Sequence, residues 1–274
     1  MRGLVLALLL LLGAARAGGP LLVATIPPYA DLAREVLGGG WEVRALVPAG
    51  GNPHVFAPRP SDLKAVARAA IVVQNGLGFD GWLVDKLVRP SGSRARVLSA
   101  EESARGLAVG GDPHLWTDPL AMGLFACDLA RAAAEVDPDG REGYLARARS
   151  LQGRLAGLMH WGQLESLGLE QRAFVAYKNP FSYLQARYGL KRAYLIGKTP
   201  SAEPTARELA EARRVLERLG LGAIVAPYQV RREAERVAEN LGVGVVYLDL
   251  LDERGSDYLA VWRGNLEGLF ASLR

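Results

Sequence analysis

The sequence predicts an α/β protein of two lobes, each a roughly four-stranded parallel sheet flanked by helices, joined by one long rigid helix. Three observations carry this prediction. Short apolar runs rich in β-formers alternate with helical patterns along most of the chain. The alternation breaks once, between Pro138 and Gly168, where strand signals vanish and apolar residues recur at helical spacing. The length of 274 residues also accommodates two lobes of ordinary size.

The first seventeen residues stand apart from that pattern. Arg2 gives a positive start, Val5 to Leu12 form a short apolar run, and Ala15-Arg16-Ala17 fits a cleavage site. This predicts a secretory signal peptide, too short to span a bilayer. Four strands are then expected at Leu21–Thr25, Glu42–Val47, Ala70–Val73 and Arg96–Leu98. Helices fit at Tyr29–Leu37, Ser61–Arg68, Gly81–Val88 and Leu120–Glu135. In the linking segment Tyr144, Leu145, Leu151, Leu155 and Leu158 mark an apolar face, and Pro138 suits a first helical turn. A helix of that length measures roughly 45 Å, which makes it a strut and not a flexible hinge. Beyond it, strands are expected at Ala173–Tyr177, Arg192–Ile196, Ala223–Ala226 and Gly244–Leu248. Their helices are Phe181–Tyr188, Ala206–Leu219, Arg231–Asn240 and Tyr258–Leu273, and Thr205 with Glu208 forms a capping box. The predicted division is therefore 1–17 signal, 18–137 first lobe, 138–168 linking helix and 169–274 second lobe.

Charge and cysteine content narrow the function. The net charge of +4 falls to +2 once Arg2 and Arg16 are removed. Basic residues are scattered opposite acids, a pattern that excludes a nucleic-acid partner. The single cysteine, Cys127, excludes an internal disulfide and lies far from the cleavage site, so the expectation is a protein outside the cytoplasmic membrane without a lipid anchor.

Two of the three histidines sit in matching settings. His54 lies in Asn52-Pro53-His54-Val55-Phe56 and His114 in Asp112-Pro113-His114-Leu115-Trp116, each after a Gly-Gly turn. The preceding proline fixes its own φ and biases its neighbour towards extended backbone, so each imidazole is presented with little freedom to lose. Loops after parallel strands gather at one sheet edge, where ligands bind. Histidine in such a pair is a metal-ligand signal. His160, on the linking helix beside Trp161, carries no such frame and is expected to be an ordinary helix residue. Trp82, Trp116, Trp262 and Tyr258 are expected in the core or lining a cleft. Gly76 and Gly78 make no phosphate-binding fingerprint.

Several runs resemble the zinc/manganese ABC-transporter substrate-binding protein family. They are Val47-Pro48-Ala49-Gly50-Gly51-Asn52-Pro53-His54, Pro60-Ser61-Asp62-Leu63, Asn75-Gly76-Leu77-Gly78, Asp112-Pro113-His114-Leu115-Trp116-Thr117-Asp118-Pro119, and Phe181-Ser182-Tyr183 with Tyr188-Gly189-Leu190. The resemblance is collinear from about residue 21 to the C-terminus. It implies a receptor, active as a monomer, that holds one Zn²⁺ or Mn²⁺ between two fairly rigid lobes and delivers it to a membrane permease. It places metal ligands at His54, His114 and Asp249, with Asp252 and Asp257 as nearby decoys.

At the third ligand position the chain departs from the family. Zinc receptors place His there and manganese receptors often Glu, whereas this chain has Lys178. An ammonium offers no lone pair, and holding lysine neutral near pH 7 from a reference pKa of about 10.4 costs about 4.6 kcal/mol. The expectation is that Lys178 points aside or pairs with Asp249 when metal is absent, with water completing the shell. Tyr177, Asn179 and Glu203 are the substitutes the sequence offers. No histidine-rich loop separates His54 from His114, which removes one argument for zinc. The competing readings are a partner-binding adhesin that has lost metal through Lys178, and a metal-dependent hydrolase. The hydrolase lacks an H-E-x-x-H helix, a nucleophile elbow and an acid/base partner, so the chain is not expected to be an enzyme.

Overall fold

The computed structural model describes residues 18–178, 180–198, 203–251 and 257–274, the side chain of His54 excepted. The expected signal peptide, Asn179 and Asp252 lie outside these residues.

Strands β1 (Leu21–Ala24), β2 (Glu42–Ala45), β3 (Ile71–Gln74) and β4 (Arg96–Ser99) form one parallel sheet in the order β2-β1-β3-β4. Strands β5 (Ala173–Tyr177), β6 (Lys191–Ile196), β7 (Ala223–Pro227) and β8 (Gly244–Leu248) form a second, in the order β6-β5-β7-β8. The two sheets repeat one topology. β1 is buried along its whole length, as expected of a central parallel strand covered by helices on both faces. Within β5 the two-residue alternation is clear: Phe174 and Ala176 face one core while Val175 and Tyr177 face another.

The helices are α1 (Pro27–Leu37), α2 (Pro60–Arg68), α3 (Arg89–Ser91), α4 (Ala100–Ser103), α5 (Pro119–Val136), α6 (Arg141–Leu167), α7 (Ser182–Tyr188), α8 (Ala206–Leu219), α9 (Arg231–Leu241) and α10 (Tyr258–Ala271). Pro27, Pro60 and Pro119 open three of them, where a missing N–H costs nothing. At α8 the capping box is complete: Thr205 Oγ1 accepts from the Glu208 N–H at 3.2 Å, and Glu208 Oε2 accepts from the Thr205 N–H at 2.9 Å.

One expected helix changes form. Gly81–Val88 appears as a wide π turn over Val84–Val88, in which the Arg89 N–H reaches back to the Val84 carbonyl. Pro90 follows at once and has no N–H to return to Lys86, so the regular ladder is interrupted there before the chain goes on as α3.

The long helix is present as α6, with 27 residues and a length of about 40 Å. It is packed, not bare. Tyr144, Ala148, Leu151, Leu155 and Leu158 recur every three or four residues and are buried against α5, α1 and α10. The inner faces of both sheets, together with α5, α6 and α10, build one continuous apolar core that runs from Leu22 to Leu273. Each sheet adds a separate outer core, one under α2 and the other under α8 and α9. Among the described residues no helix is long and apolar enough to cross a membrane.

Candidate metal centre

All strands of each sheet run the same way, so the loops that follow them leave from one edge. The loop carrying His54 follows edge strand β2. Its first residues continue alongside β1, with the Leu46 and Val47 N–H groups bonded to Ala24 and Thr25 carbonyls at 2.9 Å each. His54 itself sits in a single tight turn, Pro53–Val55. The His114 loop follows the opposite edge strand, β4, yet it is drawn back to the sheet centre. Asn75, at the end of β3, donates its amide to the Pro113 carbonyl at 2.8 Å.

Asn75 is itself fixed on every side. The Tyr29 hydroxyl donates to Asn75 Oδ1 at 2.7 Å, and the Asn75 and Gly76 N–H groups bond to the Asp80 carboxylate at 2.7 and 3.0 Å. Burial pushes the Asp80 carboxyl up despite those backbone donors. Gly76 permits the turn between them: its φ is 84°, and a Cβ there would lie 2.5 Å from a Glu101 carboxylate oxygen. The turn then offers two aromatic supports. Phe79 lies 6.3 Å from the His114 ring, and Trp82 lies 5.1 Å from Phe56, two residues after His54. Both histidine loops therefore converge on one turn.

The His114 imidazole is held from behind by a carboxylate. Its Nδ1 is 2.5 Å from Asp112 Oδ1, and its own N–H bonds to the same oxygen at 3.0 Å. Burial alone would raise the Asp112 carboxyl, but the hydrogen bonds from His114 and Ser182 and the charge at His114 prevail, and hold it below the usual carboxylate range. An ionised carboxylate only accepts, so Nδ1 carries the proton towards Asp112, and in the neutral form of the imidazole Nε2 is the nitrogen with the lone pair. A carboxylate behind an imidazole in this way fixes the tautomer and strengthens the ligand.

Asp112 also reaches the second lobe. The Ser182 N–H bonds to its Oδ2 at 3.1 Å, and the Tyr183 hydroxyl donates to its carbonyl at 3.0 Å. Two residues past His114, the Trp116 indole donates to the Leu250 carbonyl at 2.8 Å, and the Tyr258 hydroxyl donates to the Trp116 carbonyl at 2.7 Å. The His114 loop is thereby fastened beside the residue that follows Asp249.

Asp249 directly follows β8 and is buried. Asn265 on α10 brackets its backbone, accepting from the Asp249 N–H at 2.9 Å and donating to its carbonyl at 2.7 Å. Its Oδ1 accepts from the Leu251 N–H at 3.2 Å and from the Gln229 amide at 3.3 Å.

Lys178 directly follows β5 and takes a left-handed backbone, with φ 66°. Its Nζ lies 5.2 Å from the centre of the Tyr177 ring, and Tyr177 packs in the outer core under α8 and α9. Burial draws the Lys178 ammonium below its usual range, against the charges of Glu203, Glu233 and Glu208, which raise it. The ammonium thus lies on the side of Tyr177 and of the Glu203, Glu233 and Glu208 charges. The other substitutes are placed as poorly. Tyr177 is buried in that outer core and its hydroxyl is pushed up to about 12 by burial, then by Glu203 and Glu233. Glu203 is exposed and pairs with Arg236 at 3.1 Å. Asp257 caps α10 by accepting from the Ala260 N–H at 2.8 Å. His160 is exposed on α6, while Trp116, Trp262 and Tyr258 are buried. Among the described residues no three His, Cys, Asp or Glu side chains are gathered as a closed metal site. Sequence reasoning missed Asn75 and Asp112 as supports of the site, although Asp112 stands only two residues before His114.

Against known proteins, the chain matches the family model described as zinc-uptake complex component A, periplasmic, over residues 22–271. It is 28% identical over 217 residues to the manganese-binding lipoprotein MntA of Halalkalibacterium halodurans, covering 77% of this chain and 72% of that one. It is 24% identical over 282 residues to the zinc-binding protein AdcA of Streptococcus pyogenes, covering 90% of this chain. The chain spans only 55% of that relative's length. Among solved structures, ZnuA superposes with a TM-score of 0.82 at 24% identity, covering 93% of this chain and 100% of that one, a likeness of fold. The laminin-binding protein Lmb of Streptococcus agalactiae, described as bifunctional with adhesin and metal-transporting activity, gives a TM-score of 0.81 at 27% identity, with 93% and 100% covered.

Proposed function

The chain belongs to the family of periplasmic zinc-uptake complex components A, and from that membership we propose the part it plays. It is the metal-binding component of a zinc/manganese ABC uptake system and performs no catalysis. It works outside the cytoplasmic membrane as a monomer, captures one Zn²⁺ or Mn²⁺ as cargo, and hands the ion to a membrane permease. His54 and His114 supply nitrogens from the first lobe (18–137), and Asp249 supplies a carboxylate from the second (169–274). Within the linking segment 138–168, helix α6 keeps the two lobes at a fixed spacing.

The observation that carries this reading is the His114–Asp112 pair. A proton held on Nδ1 by a buried carboxylate leaves Nε2 as a ready donor, on a loop fastened to the residue after Asp249. Lys178 is no donor in this arrangement, because it lies over Tyr177.

Titration calorimetry of metal-stripped protein with Zn²⁺ and Mn²⁺ tests the proposal. One ion should bind per chain, and His54→Ala and His114→Ala should each abolish most of the affinity with an unchanged far-UV circular dichroism spectrum. Absence of binding by the native protein would overturn it in favour of an adhesin-like role in which Lys178 has ended metal capture.

A further inference from the structure

With Lys178 turned onto Tyr177, an ion held by His54, His114 and Asp249 lacks a fourth protein donor. The sheet order points to one. β7 lies between β5 and β8, so the chain leaving β7 emerges between the strand end that carries Lys178 and the one that carries Asp249. Gln229 sits there, in the short turn Tyr228–Val230 that follows β7.

The two ends of the Gln229 amide fare differently. Its Nε2 donates to Asp249 Oδ1 at 3.3 Å, a long bond. Its Oε1 is buried and meets no hydrogen-bond donor among the described residues. A buried amide oxygen without a donor is rare in folded proteins and calls for a partner. Half a turn of the terminal torsion exchanges the two ends. That turn would set Oε1 against the Asp249 carboxylate, two acceptors with no proton between them. Only a cation makes such an arrangement favourable.

We infer that Gln229 is a further ligand of the captured metal, its Oε1 filling the coordination position that Lys178 leaves open. The inference rests on the receptor reading above. In the metal-free protein Nε2 holds Asp249 in place; as the ion enters, the amide turns and both oxygens face it. An amide oxygen is neutral and hard, so it moves the site from the preference of a third imidazole towards Mn²⁺.

Three variants with Mn²⁺ and Co²⁺ decide the matter, each first checked by circular dichroism in the metal-free state. Gln229→Ala and the near-isosteric Gln229→Met should bind both ions at least about tenfold more weakly and should shift the visible absorption of bound Co²⁺. Gln229→Glu keeps an oxygen and loses the N–H, so it should bind Mn²⁺ at least as tightly as the native protein. If Gln229→Glu loses as much affinity as Gln229→Ala, the side chain only orients Asp249 through Nε2 and the inference fails. It fails too if Gln229→Ala keeps native affinity and an unshifted Co²⁺ spectrum while His114→Ala does not, and then the receptor reading stands. A native protein that binds neither ion overturns both.

Discussion

Arg187 grips Asp118 across the seam between the lobes, with Nε 3.1 and 3.0 Å from the two carboxylate oxygens and a terminal nitrogen 2.6 Å from Oδ2. The carboxylate is fully buried and also caps α5, accepting from the Leu120 N–H at 3.0 Å. Removing the guanidinium leaves a buried charge without its counter-ion. Arg187→Ala should therefore cost about 3–5 kcal/mol in urea unfolding, and Arg187→Lys should recover only part, since lysine lacks the planar fork. A loss indistinguishable from an exposed arginine substitution would show that the seam is not held here.

The same seam bears on motion. Arg187, Ser182, Tyr183, Leu250 and Tyr258 of the second lobe all bond to residues 112–118 of the first, and α6 packs along both. Small-angle scattering of metal-free and loaded protein should nearly superimpose. A clear contraction on loading would show that the lobes hinge in spite of these bonds.

Asp112→Asn should lower metal affinity about 10–100-fold while the protein stays folded, because an amide no longer holds the His114 tautomer. The acid limb of stability should change as well. The folded Asp112 carboxyl lies below its unfolded value, so its stabilisation is full above the unfolded pKa and is lost as pH falls through the folded one. Acid unfolding of metal-free Asp112→Asn should lack that contribution. Coincident acid transitions for the two proteins would contradict it.

Lys178→Ala should leave metal affinity equal or tighter, since the ammonium lies over Tyr177 and opposes a nearby cation. Lys178→His should tighten Zn²⁺ and Lys178→Glu should favour Mn²⁺. Weaker zinc binding by Lys178→His than by the native protein would mean that lysine helps to build the site.

Thr205→Ala removes the side-chain oxygen that caps α8 and should cost about 1 kcal/mol in thermal or urea unfolding, with metal affinity untouched. A neutral result would mean that water serves the orphan N–H equally well.

The fold was largely legible because its signals are local. β5 and β8 match their expected limits, and the Thr205–Glu208 pair announces α8 within four residues. The turn at Val84–Val88 was not, because a pattern of apolar residues does not register what Pro90 removes from the ladder. The expectation for His114 came from its frame, whereas its supports had no such signal. Asn75 reaches Pro113 and Ser182 reaches Asp112 only once the sheets are stacked, and no spacing rule joins positions that far apart. Gln229 required the strand order itself, since only that order puts the end of β7 between the ends of β5 and β8.

The core shared by the two sheets governs how the chain matures. Tyr29 and Phe125 belong to the same apolar cluster as Trp262 and Phe270, and Trp116 bonds to partners 134 and 142 positions away. A chain delivered N-terminus first can pair β1 to β4 and pack α1 on them early, yet the faces of α6 and β8 that α10 covers stay wet until that last helix arrives. Completion of the shared core is therefore late: docking of the last helix closes the faces of α6 and β8, and a chain cut short before Tyr258 exposes that apolar surface, on which aggregation begins.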